Sequence, residues 1–540
     1  MGLLRRFFGR DGGDGEPTVM PWDEGPSILE FIRSHVVPGE PGVSDDGYHL
    51  PDEERVNAGS PIRWAAGAMD GVATHHMGTG QDDRVVKATV KLVDAYARQP
   101  TALNKAAVYR HVIAEQVVSI IDPVIEALIN ARGLNHERLY ELAHSFVTEA
   151  TDREPVKFGI ALLGLFQQPA NAELFLTLGR HDEFTLFCAV ALTNSSENPE
   201  EALWTLARNV TGWGRIHVVE RLAQTTNPAI QRWLVREGFR NSVMDEYLAA
   251  TCARAGKLRG ELSQGDADRE LLSAAGAILE ALIAGGPAEG IDDYEDARPV
   301  MEMYLDYMTS SAESLGDFLH VASVRSFLGE GQSEWENRYS AGWTADCRDR
   351  LRAQCGAILG RAEWMERTQA QLGSADEVEF HNANRVAKQL GIDTWNIHWR
   401  RLQEQPLDVG RWYEVMAGCD ESRIAQATQF AETNLDLQKI ATGPGDAPGI
   451  GPGFEHHMCL DFVLQELGRF PGHGARLIAA GLQSPVVRNR GGALTALANW
   501  PRETWPGELE TLLKDAVVHE PDDALRDRMR ETLESADEPS

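Results

Sequence analysis

Between Phe158 and Gly260 a proline returns at a fixed phase: Pro169 in QQPANAELFLTL, Pro199 in ENPEEALWTLARN and Pro228 in TNPAIQRWLVREGF, 30 and 29 residues apart. Proline lacks an N–H, and the first helical turn is the one place where that donor has no intrahelical partner, so each proline marks the entry of a helix. A helical apolar stretch precedes each one: GIALLGLF, TLFCAVALT and RIHVVERLAQ. Gly179, Gly212 and Gly238 fall near the ends of these units, where the chain must turn back. A single hairpin of this kind cannot bury the apolar stripes of both its helices, so the repeat implies stacking on neighbours, as in an α-solenoid. A compact bundle that places proline at its helix starts accounts for the same spacing. From Lys87 onward apolar residues recur every three or four positions without sustained alternation, and the expected fold class is all-α.

The C-terminus carries a longer echo. Val487-Arg488 in SPVVRNRGGALTALANW and Leu525-Arg526 in EPDDALRDRMRETLES lie 38 residues apart, each behind a proline-led helix start. This resembles the HEAT-repeat pattern, in which a Pro/Val/Arg-rich start opens the second helix of each pair, and it implies a HEAT-like α-solenoid of stacked hairpins with an irregular N-terminal segment. The expected organisation is a flexible tail over 1–26, a capping segment over 27–85 and HEAT-like hairpins over 86–262. Degenerate helical repeats over 263–440, a Gly/Pro loop over 441–454 and C-terminal repeats over 455–540 complete it. The loop, ATGPGDAPGIGPG, holds Pro444, Pro448 and Pro452, which remove backbone donors, and no Gly-Lys-Ser/Thr follows. It therefore reads as a linker or packed surface loop rather than a phosphate cradle, with the break in the helical body near Gly443 to Gly453.

Charge narrows the partners. Across 540 residues, 51 Lys+Arg stand against 82 Asp+Glu, a formal net charge of −31. Such a surface repels phosphate backbones and anionic lipid, so no nucleic acid is expected, and any partner chosen by charge is basic. A solenoid exposes much surface per residue, and the acidic excess keeps an extended array soluble. No run approaches the length of a membrane span, which implies no stable membrane insertion. The six cysteines are scattered without a CxxC pair, the pattern of reduced thiols in a cytoplasmic protein. At the N-terminus MGLLRRFFGR reads either as a short amphipathic docking segment or as a frayed basic tail.

Two histidine doublets stand out. In SPIRWAAGAMDGVATHHMGTG, a helix from about Pro61 puts Arg63, Gly67, Asp70 and Thr74 on one face and Trp64, Ala68, Gly71 and His75 on the next. Its small residues admit a tightly packed neighbour, with Arg63 and Asp70 as polar anchors; the functional alternative is a pocket wall carrying Asp70, His75 and His76. The second doublet, His456 and His457, sits in FEHHMCLDFVLQELGRF, where His457 and Asp461 share a helix face. Two imidazoles and a carboxylate can hold a metal with open positions, yet neither spacing is a known metal signature, and no metal is established from sequence. Trp335, Trp343, Trp395, Trp399 and Arg400 concentrate in two segments and form either an interaction surface or core filling. His398, in the second of them, reads as a structural histidine. A nucleophile elbow, a P-loop, a dinucleotide fingerprint and a metal-binding Cys cluster are all missing, and no cofactor is implied.

IRWAAGAMDGVATHH, GIDTWNIHWRRLQEQPLD and LDFVLQELGRFPGHGARLIAAGLQSPVVRNRGGALTALANW together resemble an uncharacterised bacterial HEAT-like family, some of whose members carry the label limonene hydroxylase. That label would imply haem, flavin or non-haem iron, for which the chain shows no motif. Deoxyhypusine hydroxylase has a similar architecture and uses four His-Glu pairs to hold iron; this chain offers only His136-Glu137 and His519-Glu520 outside any repeat. HEAT-like DNA glycosylases resemble it in helix pairing alone, since their basic concave face conflicts with the acidic balance. The leading expectation is a scaffold that binds a protein or peptide. The alternative is a metal-dependent enzyme, hydroxylase-type or hydrolytic, whose pocket forms where the Arg63–His76 segment meets the His456–Asp461 helix.

Overall fold

The computed structural model describes residues 20, 25–58, 63–77 and 83–534. The expected basic tail lies largely outside them. Among the described residues every regular element is helical, and there is no strand. No described helix is long and apolar enough to cross a membrane. The chain divides into two compact units, residues 1–361 and 362–540. The helices that bear on function are, in the first unit, α1 (Ala68–Val72), α2 (Arg153–Leu163), α3 (Pro169–Leu178), α4 (Asp182–Ser195), α5 (Pro199–Ala207), α6 (Trp213–Arg221) and α7 (Pro228–Trp233), and, in the second, α8 (Glu455–Leu467) and α9 (Val487–Ala498).

Each phased proline opens its helix: α3, α5 and α7 begin at Pro169, Pro199 and Pro228. Asn198 and Asn227 cap the latter two, accepting from the backbone N–H of Glu201 and Ala229 at 3.4 and 3.0 Å. The longer partner helices pack in order, α2 on α4 and α4 on α6, while α3 and α5 each pack on α4. Gly179 serves closeness rather than reversal. Its φ is −66°, and a Cβ there would lie 2.9 Å from the Leu206 side chain and 3.1 Å from Cys188 Cβ.

The division between units falls at Arg361/Ala362, and the Gly/Pro loop lies inside the second unit. The Gly443 N–H donates to Gln483 O at 2.8 Å and the Ala447 N–H to Pro485 O at 3.1 Å, so the loop is fastened to the α9 entry. The tryptophans are core, which corrects the interaction-surface reading. Trp335 is fully buried, packed edge-on against Trp343 at 5.3 Å and covered by the Arg348 guanidinium at 4.3 Å. Trp395 and Trp399, also buried, stack at 5.2 Å within the second unit's core. Only Arg400 of that set is exposed. A one-turn spacing puts both indoles on the inward face, where burying them outweighs any use as a surface. His398 is structural as expected: it is 1% exposed, its Nε2 lies 2.8 Å from Asn384 Oδ1, and burial pushes its pKa down to about 4.

All six cysteines are buried and unpaired. Burial pushes Cys419 up to about 11 and Cys355 and Cys459 up to about 12, which holds them as thiols.

Candidate metal centre

The segment from Arg63 to Met77 is pinned to the first unit by three contacts. The expected helix is absent from the described part of its start: residues 63–65 are irregular, Gly67 takes a left-handed φ of +72°, and α1 starts only at Ala68. Arg63 and Trp64 are therefore exposed on a non-helical stretch instead of sharing a helix face with Asp70 or His75. At Gly67, where a Cβ would lie 2.6 Å from Asp182 O, the N–H donates to Glu183 Oε2 at 3.0 Å. One turn on, Asp70 Oδ2 meets Lys157 Nζ at 2.8 Å. Next to it the Trp213 indole lies flat on Gly71, where a Cβ would come within 2.2 Å of the ring.

Lys157 is the hub. Its side chain is 2% exposed, and Nζ lies 2.7 Å from Glu183 Oε1 and 3.2 Å from Glu154 Oε1 as well as touching Asp70. Burial works against its charge, but the Asp70, Glu154 and Glu183 carboxylates outweigh that and hold its pKa well above the usual lysine value. Glu183, although burial would raise it, is taken down to about 2 by Lys157, Arg153 and the Gly67 N–H. Asp70 is pushed up to about 6 by burial, which Lys157 only partly offsets. Arg153 extends the network to Asp52 at 3.0 Å and Glu53 at 2.6 Å. Apart from Asp52 these groups line a cavity of about 320 Å3, together with Trp64. With every inward charge engaged, the network acts as a clasp that fixes α1 on α2 and α4. Asp70 is accordingly an anchor and not a metal ligand.

Beyond α1 the backbone widens into a π-turn over Ala73–Met77, a distortion that recurs at functional sites. Thr74 Oγ1 donates to Asp70 O at 2.8 Å and Gly71 O at 3.1 Å, closing the turn. The turn delivers His75 onto α6. There His75 and His217 stack at 5.5 Å with planes 22° apart, and His75 Nε2 lies 3.8 Å from Glu220 Oε1. Ligand atoms of His75, His217 and Glu220 all fall within 4.8 Å of one another. Neither His75 Nε2 nor His217 Nε2, both buried, has a hydrogen-bond partner. An ion about 2.1 Å from each ligand would hold such atoms about 3.4 Å apart, so the 4.8 Å spread would have to close by at most about 1.4 Å.

The electrostatics suit ligation. Burial, followed by the Arg221 and His75 charges, pushes His217 down to about 3. His75 is lowered by burial, His76 and Arg221, so both imidazoles are neutral at pH 7 and each offers a lone pair. Glu220 is raised by burial, with Arg221 pulling the other way. Its side chain is 37% exposed and that of His75 21%, so the cluster is reachable from solvent. His76 turns away to bond Tyr247 Oη at 2.7 Å.

The second doublet is structural. His457 is buried, with Nδ1 2.9 Å from Asn489 Oδ1 and 3.2 Å from Ser484 Oγ. Asp461 pairs with Arg488 and accepts from Asn489 Nδ2, which ties α8 to α9. His456 Nδ1 accepts the Asp436 N–H at 3.1 Å. The two doublets belong to different units, and each is accounted for within its own. The His-Glu pairs supply no site either: Glu520 is taken by Arg490 through two contacts of 2.7 Å, and His136 and Glu137 are exposed.

Of the residues singled out from sequence, only His75 lies in the cluster. His217 and Glu220 were missed. His217 sits in GRIHVVERL, where one histidine between Ile216 and Val218 reads as a core residue, and the one cue is a polar ring on an apolar face. No family model matches this chain. No curated protein resembles it in sequence.

Proposed function

We propose that the protein is a metal-dependent enzyme, hydroxylase-type or hydrolytic, whose divalent ion is held by His75, His217 and Glu220. The observation that carries this reading is the pair of buried, unpartnered imidazole nitrogens beside a carboxylate. Leaving such atoms unbonded costs about 1–3 kcal/mol each, a cost that an ion at the cluster offsets. Three protein ligands leave coordination positions open for water or substrate. Bound Zn2+ would lower the pKa of a water for hydrolysis, and ferrous iron in the same two-His, one-carboxylate set would bind dioxygen. The hairpins from α2 to α7 supply the frame, which we read as a HEAT-like solenoid segment that presents α6 to the π-turn. Burial of the four tryptophans leaves the scaffold alternative without the aromatic interaction surface that was one candidate for it.

The test is metal analysis of protein purified without a His tag, with Co2+ titration of the chelator-treated chain. Stoichiometric metal is expected, together with tetrahedral or five-coordinate cobalt bands that His217→Ala abolishes while circular dichroism is unchanged. Protein without metal that also gives no cobalt spectrum would overturn the assignment. Retained zinc points to hydrolysis and retained iron to oxygen chemistry.

A further inference from the structure

A cavity of about 500 Å3 adjoins the centre. Ala73 and Thr74, which immediately precede His75, and Arg221, which follows Glu220, form part of its wall. Most of the remainder is apolar, from Ile121, Ile125, Leu165, Leu186, Phe187 and Val190, and the size suits a small organic molecule. Val190 is 40% exposed in the cavity, an aliphatic side chain on α4 that packing leaves uncovered.

Arg221 breaks the apolar lining. Its guanidinium is partly buried and donates through Nη1 to His217 O at 2.6 Å. Among the described residues no carboxylate lies within ion-pairing distance of it; Glu220 acts on it from further away. Lys157 and Arg153 each have three carboxylates, whereas Arg215, like Arg221, donates to backbone carbonyls; of these cations Arg221 is the one that lines the cavity. The remaining polar lining is Thr74, Asn194 and the exposed Asp122, whose charge disfavours an anion at its own end.

We propose that this cavity binds an amphiphilic monoanion, a carboxylate on an aliphatic chain, with its head on Arg221 and its tail against the α4 side chains. A guanidinium gives a carboxylate two parallel charge-assisted hydrogen bonds, and transfer of the tail from water supplies the apolar part of the affinity. The head would lie next to the His75–His217–Glu220 cluster. Binding needs no metal, so this inference goes beyond the metal assignment and survives its failure.

The experiment is calorimetric titration of the full chain, before and after chelator treatment, with decanoate, 1-decanol and decyltrimethylammonium. Decanoate is expected to bind in both states at least about tenfold more tightly than the neutral or cationic analogue. Arg221→Gln should abolish that preference. Val190→Trp, an exposed position whose substitution leaves the fold intact, should block all three probes by filling the cavity. Equal affinity for decanoate and decanol, a preference for the cation, or binding unaltered by Val190→Trp would each overturn the proposal, as would no decanoate binding at about 1 mM.

Discussion

Replacing Lys157 with methionine tests the clasp that sets the geometry of the centre. Methionine keeps the length of the side chain and removes its charge, leaving Asp70, Glu154 and Glu183 around a buried neutral group. Two routes give the size of the loss. Removing one partner from a buried ion pair costs about 3–5 kcal/mol. Alternatively one carboxylate takes up a proton, which at pH 7 costs about 4 kcal/mol, three pH units at 1.36 kcal/mol each for a group with an unfolded pKa near 4. Both give about 4 kcal/mol at pH 7. The second route carries a sign. The folded variant then holds a proton that its unfolded chain lacks, so its deficit shrinks as pH falls; because wild-type Asp70, at about 6, also takes up a proton over this range, the net change from pH 7 to pH 5 is about 1.4 kcal/mol. Urea unfolding of both proteins at the two pH values measures this, with hydrogen exchange of the 153–163 helix assigning the loss to the first unit. A deficit under about 1 kcal/mol at pH 7, or one that grows toward pH 5, would refute the hub role of Lys157.

Three further outcomes follow from the same contacts. Gly71→Ala drives a methyl into the Trp213 ring, where a Cβ would sit 2.2 Å from the nearest carbon, so we expect a loss of about 1–3 kcal/mol and weaker cobalt binding because the π-turn is displaced. His181 is 1% exposed, and burial, aided by Arg153 against Glu183, pushes it down to about 4. Its unfolded form takes up a proton first, so its contribution is lost as pH falls from 6.5 toward 4; the stability advantage of the wild type over His181→Gln should shrink by about 3 kcal/mol across that window in parallel urea titrations. In the second unit, Arg490→Met strands the fully buried Glu520 and should cost about 3–5 kcal/mol, most of it restored when Glu520→Leu is added; calorimetry of the single and double variants measures the difference.

What could be read from sequence was local. Pro169, Pro199 and Pro228 announce helix starts because a missing N–H acts at the residue that lacks it. The division at Arg361/Ala362 leaves no such mark. Helices Ala345–Leu359 and Glu363–Gln371 follow one another across a short turn, while the Gly/Pro loop that resembled a linker is held by tertiary hydrogen bonds that no local pattern encodes. The site divides the same way. The His75-His76 doublet is visible as a doublet, but its partner His217 lies 142 residues away in an apolar helix. Lys157 had one cue, a charged residue between Val156 and Phe158 on a buried stripe, and what it pairs with depends on α1 and α4 docking against α2. The tryptophans left two readings open because composition is the same for a hot spot and a core, and only burial separates them.

The buried cysteines give each unit its own clock. Cys188, Cys252, Cys347 and Cys355 lie in the first unit, Cys419 and Cys459 in the second. A thiol held protonated and out of solvent reacts with an alkylating reagent only when the structure around it opens, so its labelling rate is the intrinsic thiolate rate multiplied by the fraction open. Mass spectrometry of six modification sites in one experiment thus separates two opening free energies within a single chain, without an added probe. In an oxidising burst the same shielding makes unfolding, rather than reagent concentration, the step that sets how fast the protein is damaged.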